Sequence, residues 1–363
     1  MTHLFVDISS HGFGHLAQTA PVLNALSASR PLQLTIRSGL TKDQLSRRID
    51  QPFTHLHAAS DFGFVMHDAL RVDLASSAQR YQAAYANWPA RVEQEAALLA
   101  ALQPSLILSN ISPLPLAGAA KAGIPCMAMC SLNWADLFAH YFAAAPWAAT
   151  IHAAMLHAYA SAQLFLRFTP GMPMPALSNL AIIGPVSTAG KVTREEIAQR
   201  LDLPLNKRWL LLAMGGIAHR LPVEEWPHIE ETQYLVPADW GVSRSDCSTY
   251  DDSRLPFSDL LPKVDAVLTK PGYGTFAEAA CCGLPVLYLR RPDWPEEPNL
   301  IEWLHANTRV SELTAEQAAT GELGRLLHSL WRQPAPVPPQ PTGIAEALLH
   351  INRALDTNVT IAP

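Results

Sequence analysis

The chain alternates between two hydrophobic rhythms. Short, nearly unbroken apolar runs read as buried strands: LFVDIS at 4–9, LQLTIRS at 32–38, FTHLHAA at 53–59, SLILSN at 105–110 and PCMAMCS at 125–131. Between them lie segments of helical spacing: LAQTAPVLNALSA at 16–28, TKDQLSRRI at 41–49 with Thr41 as N-cap, a long stretch at 76–102, and PLAGAAKAG at 115–123, closed by Gly123. This alternation predicts an α/β fold with a parallel sheet covered on both faces. The Ala-rich, nearly uncharged stretch 139–168 reads as a buried helix pair. His140, Pro146, His152 and His157 interrupt it, so it falls short of the ~20 unbroken apolar residues that a membrane-spanning helix needs.

The pattern breaks at 169–190, where TPGMPMPALSNLAIIGPVSTAG predicts a linker, and then starts again. WLLLAMGG at 209–216, TQYLVPA at 232–238, DAVLTKPGYG at 265–274 and PVLYLRR at 285–291 read as strands, two of them running into Gly turns. SDLLPK at 258–263, TFAEAACCG at 275–283 and NLIEWLHAN at 299–307 read as helices. A Pro-rich run at 334–341 precedes a final helix, GIAEALLHINRAL. Two α/β halves facing a ligand cleft are expected.

The length of 363 residues supports two domains of roughly 150 residues each. A net charge of −6 without a basic stripe argues against a nucleic-acid partner, while leaving room for a local cationic pocket. No basic leader or cleavage site precedes the first strand, and the cysteine number, five, is odd; both point to a cytoplasmic protein with reduced thiols. Cys126 and Cys130, like Cys281 and Cys282, lack zinc-like partners and read as core packing. Contact with a membrane surface stays open.

Two stretches carry chemistry. In HGFGH, 11–15, Gly12 and Gly14 permit positive φ and close backbone approach where a strand hands over to a helix, the place where α/β folds build sites. The third glycine of G-x-G-x-x-G is missing, so a dinucleotide fingerprint does not match. In VLTKPGYGTFAEAACCGLPVLYLRRPDWPEEPNL, 267–300, the strand ends at Lys270 and Gly272 and Gly274 turn the backbone. Thr275 then opens a helix whose free N–H groups and dipole suit a diphosphate. Glu278 lies one turn in, where a carboxylate can accept two ribose hydroxyls; Arg290 and Arg291 end the next strand, and Glu296 and Glu297 offer acceptors to sugar hydroxyls. Each feature alone also fits a closed turn, a solvated carboxylate or a surface ion pair. Together in one βαβ unit they predict a nucleotide-sugar site.

This segment resembles the donor-site signature of GT-B glycosyltransferases, near the peptidoglycan N-acetylglucosaminyltransferase group. It is closer still to the glycosyltransferase-like N-terminal region of the L-arabinokinases. The shared features are the HGFGH turn, the SLNWADLFAHY stretch, PGMPMPA, the glycine pair 215–216 and K-x-GYGT-x-x-EA…RR…EEP-x-L, spread from about Leu4 to Leu349. The arabinokinases continue into a sugar kinase domain where this sequence stops, and no G-x-x-x-x-G-K-[ST] loop is present, so kinase activity is not implied.

The resemblance implies a GT-B architecture of two Rossmann-like domains: an acceptor domain at 1–168, a linker at 169–190, a donor domain at 191–341, and a helix at 342–363 crossing back to the first domain. It implies that Gly272, Gly274 and Thr275 hold the diphosphate and Glu278 the ribose. Gly215 and Gly216 would lie across the cleft from Gly12 and Gly14, close to the donor phosphates. Glu296 and Glu297 stand where related transferases place Gln or Asp/Gln on the donor sugar. His15 inherits the role of base or phosphate-side partner; His11 matches the motif with a less defined task.

The expected activity is glycosyl transfer from a nucleotide sugar, with a UDP-sugar as leading donor, to an unidentified acceptor hydroxyl. Asp136 and Asp61 are alternative bases, and both also fit structural roles. With no acidic D-x-D motif near the donor turn, Lys270, Arg290, Arg291 and the helix N-terminus would meet the leaving charge, which predicts metal-independent, inverting transfer with no resident cofactor. A nucleotide-sugar 2-epimerase or hydrolase, and a non-catalytic sugar-nucleotide-binding protein, are the alternatives.

Overall fold

In the computed structural model, which describes residues 2–188, 190–216, 219–251 and 255–359, the apolar runs pair into two separate parallel sheets. The first contains β1 (Thr2–Ile8), β2 (Leu32–Ser38), β3 (Thr54–His57), β4 (Leu106–Asn110), β5 (Cys126–Cys130), β6 (Phe165–Phe168) and β7 (Leu180–Ile183), ordered β3-β2-β1-β4-β5-β6-β7. The second contains β8 (Arg208–Ala213), β9 (Thr232–Pro237), β10 (Cys247–Tyr250), β11 (Ala266–Thr269), β12 (Val286–Leu289) and β13 (Val310–Leu313), ordered β10-β9-β8-β11-β12-β13. The central strands are buried on both faces, as continuous apolar runs require.

In each sheet the strand order reverses beside its first strand, between β1 and β4 and between β8 and β11. A crevice opens beyond the carboxyl ends at such a reversal. Register places Ile8 opposite Asn110 and Ala213 opposite Thr269, so the turns that follow these strands emerge side by side.

Some elements differ from expectation. The stretch 76–102 is two helices, Leu74–Tyr85 and Trp88–Leu102, parted at Asn87. Pro89 explains the break, because proline tolerates only the first turn of a helix. The Ala-rich stretch forms helices Trp134–Phe142 and Ala148–Ala160, but its end is β6. β7 falls inside the Pro- and Gly-rich stretch read as linker and pairs with β6, having only four residues of its own to signal a strand. Cys126 and Cys130 are core residues, whereas Cys281 is half-buried and Cys282, the C-cap of the helix Tyr273–Cys281, is exposed, so the second pair is not core packing. Among the described residues no helix is long and apolar enough to cross a membrane.

The chain passes from one sheet to the other after β7 and returns as the helix Gly343–Val359, which packs on the first helix, Gly14–Ser29. The predicted closing segment runs on to 363, beyond the described residues. Arg30 bonds both Asn352 and Asp356, each at 3.0 Å. The outgoing and returning segments also bond each other. Gly343 N–H donates to the Pro185 carbonyl at 3.1 Å, and Gly184 N–H to Glu346 Oε2 at 2.8 Å.

Candidate functional site

A cleft of about 460 Å³ lies between the carboxyl ends of the two sheets. Its first-half wall is the HGFGH turn. Gly12 takes the left-handed backbone (φ 78°), as that turn demands, but Gly14 does not and simply begins the helix Gly14–Ser29. Across the cleft, Gly215 is left-handed (φ 83°), and a Cβ on Gly216 would strike the Phe13 ring.

The helix Tyr273–Cys281 opens two residues earlier than expected, with Gly272 as an extended N-cap, so Thr275 sits in its first turn. Gly272 and Gly274 need no left-handed backbone. Gly274 serves by its smallness, since a Cβ there would lie 3.3 Å from Ala17 of the opposing helix. Gly12, Gly14, Gly215, Gly216, Lys270, Gly272, Gly274, Thr275, Glu278, Arg291 and Glu296 all line the cleft, with His11 and His15.

His15 is buried, and its Nδ1 lies 2.8 Å from Asn110 Oδ1. The amide orientation is settled by its other end, where Asn110 Nδ2 donates to Gln18 Oε1 at 3.1 Å and to Thr19 Oγ1 at 3.0 Å. Nδ1 therefore carries the proton, and Nε2 keeps a lone pair. Burial lowers the His15 pKa to about 4, although the Asn110 hydrogen bond resists the shift, so the ring is neutral at physiological pH. The chain of bonds continues from Gln18 Nε2 to Ser131 Oγ at 2.8 Å and from the Ser131 hydroxyl to Glu296 Oε1 at 2.6 Å. One hydrogen-bonded path thus joins His15 in the first half to Glu296 in the second.

The second half contributes two cations, a buried Arg291 and a half-buried Lys270. The Arg291 guanidinium carbon sits over Trp294, 3.5 Å from the ring centroid, and its Nε and Nη2 have no hydrogen-bond partner among the described residues. Burial lowers it to about 10. Lys270 is lowered to about 7 by burial and then by the Arg291 charge, with Glu296 opposing. His11 faces them, stacked on Trp294 at 5.9 Å and edge-on to Trp134 at 5.3 Å. Burial, then Arg291, lowers its pKa to about 3, and its Nε2 is also without a partner among the described residues. Desolvated positive charge with N–H groups unpartnered among the described residues can hold an anion.

Other sequence candidates lie elsewhere. Glu297 turns away from the cleft: it accepts the Arg291 backbone N–H at 2.5 Å and pairs with Arg290 at 3.3 Å, fixing the loop that presents Arg291. Arg290 points outward to Glu312 at 2.9 Å, half-exposed, and does not line the cleft. Asp136 is half-buried in the first turn of the helix Trp134–Phe142, paired with its N-cap Asn133 and outside the cleft lining. Asp61 accepts from Ser9 at 2.8 Å and from Trp134 Nε1 at 2.7 Å, behind the cleft wall.

Sequence reading missed Asn110, Gln18, Ser131 and the tryptophans Trp134 and Trp294. Ser131 and Trp134 sit inside SLNWADLFAHY, singled out as a shared stretch, so position in that motif was their available signal; Trp294 falls in the unspecified gap of RR…EEP. Asn110, at the end of the β4 run, had none.

No family model matches the sequence. The chain is 25% identical over 320 residues to the L-arabinokinase of Arabidopsis thaliana, a match covering 84% of this chain and 30% of that protein. The chain thus spans less than a third of the curated relative's length. Among solved structures, the glycosyltransferase of kitacinnamycin superposes with a TM-score of 0.61 at 14% identity, covering 98% of this chain and 95% of that one. The S. aureus MnaA–UDP complex gives 0.58 at 14% identity, covering 100% and 98%. The architecture is the GT-B fold.

Proposed function

We propose that this GT-B chain transfers a glycosyl group from a nucleoside diphosphate sugar, a UDP-sugar first among them, to an acceptor hydroxyl without a metal. The observation that carries the reading is one cleft lined both by a neutral His15, whose Nε2 has no hydrogen-bond partner among the described residues, and by the cations Lys270 and Arg291, with Arg291 Nε and Nη2 unpartnered among the described residues. The UDP held by the MnaA structure supports the choice of nucleotide.

In this mechanism the acceptor O–H gives its proton to His15 Nε2 as its oxygen bonds to the anomeric carbon. The bond from that carbon to the phosphate oxygen breaks, and its electron pair leaves with the diphosphate. Lys270, Arg291 and the free N–H groups of the helix Tyr273–Cys281 meet that charge. Base and leaving group come from opposite walls, so a single displacement inverts the anomeric centre. Glu278 receives the ribose hydroxyls, and Glu296 a sugar hydroxyl.

A thermal-shift panel of nucleotides and nucleotide sugars tests the donor, because a ligand bound only to the folded state raises the melting temperature. Turnover with candidate acceptors tests the reaction. Free nucleoside diphosphate released with no acceptor present would select an epimerase or hydrolase instead.

Three further outcomes are expected. Glu278→Gln should weaken donor binding by the ~1.5–3 kcal/mol of a charge-assisted hydrogen bond, read by calorimetry, with the melting temperature held. Donor binding should also take up a proton: the diphosphate raises Lys270 from its value of about 7, so uptake peaks just above neutral pH. Calorimetry in buffers of different ionisation enthalpy measures it, and no uptake would remove Lys270 from the anion site. Asn110→Asp should place a carboxylate against His15 Nδ1–H, raise its pKa and move the acid limb of kcat/KM to higher pH. An unmoved limb would show that another group titrates.

A further inference from the structure

A second cavity, of about 480 Å³, opens in the first half behind the cleft wall, between the 59–63 loop, the helices Leu74–Tyr85 and Trp88–Leu102, and the start of the helix Pro113–Ala122. Trp134 forms a wall of both cavities, and the Asp61 carboxylate holds its indole N–H from the second side. We propose that this cavity is a separate binding site for a small hydroxylated anion, a molecule bearing hydroxyls on its body and a phosphate or carboxylate at one end.

The charges and ring faces define that class. Among the described residues Asp61 is the sole carboxylate lining the cavity, and Arg80 and Arg91 are its cations. Neither arginine makes an ion pair among the described residues. Arg80 lies over the Phe62 ring at 4.5 Å, and Arg91 over Trp88 at 5.9 Å, spending one N–H on the Ala84 carbonyl at 2.7 Å. Apart from the Arg91–Ala84 bond, the N–H donors of both arginines have no partner among the described residues and can serve an anion. Trp88 and Tyr85, stacked on each other at 4.4 Å, add aromatic wall to the cavity for a ligand body to pack on.

Asp61 supplies the inner polar end. Each of its oxygens accepts one hydrogen bond, from Ser9 and from Trp134, which leaves lone pairs for a ligand hydroxyl. Burial and the Asp7 charge raise its pKa to about 6, so it is largely ionised at neutral pH and acts as an acceptor. An occupant bonded to Asp61 rests on Trp134, whose other contacts include both His11 and His15. Occupancy of this cavity requires no nucleotide in the main cleft.

Calorimetry with glucose 6-phosphate and with 4-hydroxybenzoate, each set against its neutral counterpart glucose or phenol, distinguishes a sugar phosphate from an aromatic hydroxy acid. At least one anion should bind saturably, its neutral counterpart about tenfold or more weaker. Arg80→Gln with Arg91→Gln should lose that affinity by a similar factor, while Arg80→Lys with Arg91→Lys keeps most of it. Saturating UDP should leave the binding in place. The proposal fails if neither anion binds at millimolar concentration, if the Gln pair binds as well as the native protein, or if UDP displaces the probe. Circular dichroism of the Gln pair guards against misfolding; if that pair does not fold, charge dependence is read from the anion-to-neutral ratio of the native protein.

Discussion

His15→Ala is expected to lower the transfer rate by about 10²–10⁴, the usual cost of losing a general base, while the donor Kd changes little. The Asn110 bond fixes the proton on Nδ1 and leaves Nε2 as the acceptor, and the lowered pKa keeps the ring neutral. His11 is the control. Its Nε2 also has no partner among the described residues, but its stacking on Trp294 suits it to shaping the cleft. His11→Ala should therefore cost less in kcat. Wild-type turnover by His15→Ala would end the assignment; loss of donor binding in that variant would move His15 to the phosphate side.

Lys270→Met is expected to act in opposite directions on fold and activity. Burial pulls this ammonium from 10.5 to about 7, which means the folded state pays to keep it charged. A methionine of similar length removes that penalty, so the melting temperature at neutral pH should hold or rise. Activity should fall about 10²–10³, the scale of losing one preorganised group that meets developing negative charge. A steady-state comparison with a thermal melt decides it. Equal losses in both would make Lys270 structural.

Much of this was legible in sequence because it depends on local pattern. Continuous apolar runs marked the central strands, and glycines beside Lys270 marked the turn at the second sheet's carboxyl edge. What stayed hidden depends on distant neighbours. Glu297 reads as a sugar acceptor until the fold turns its carboxylate onto the backbone N–H of Arg291. Asn110 sits 95 residues from His15, and only parallel pairing of β1 with β4 brings them together. Gly274 was read as a turn residue, whereas its small size lets the opposing helices approach. Edge strands such as β7 escaped because four residues among prolines carry too little periodicity.

The crossings at Gly184–Pro185 and Gly343 put both covalent connections between the halves at one place, bonded to each other. Connections so placed favour rotation about that place over sliding, the geometry of a hinge. If a donor draws the halves together, spectroscopic labels placed one on each half should report a change that grows with distance from the crossings.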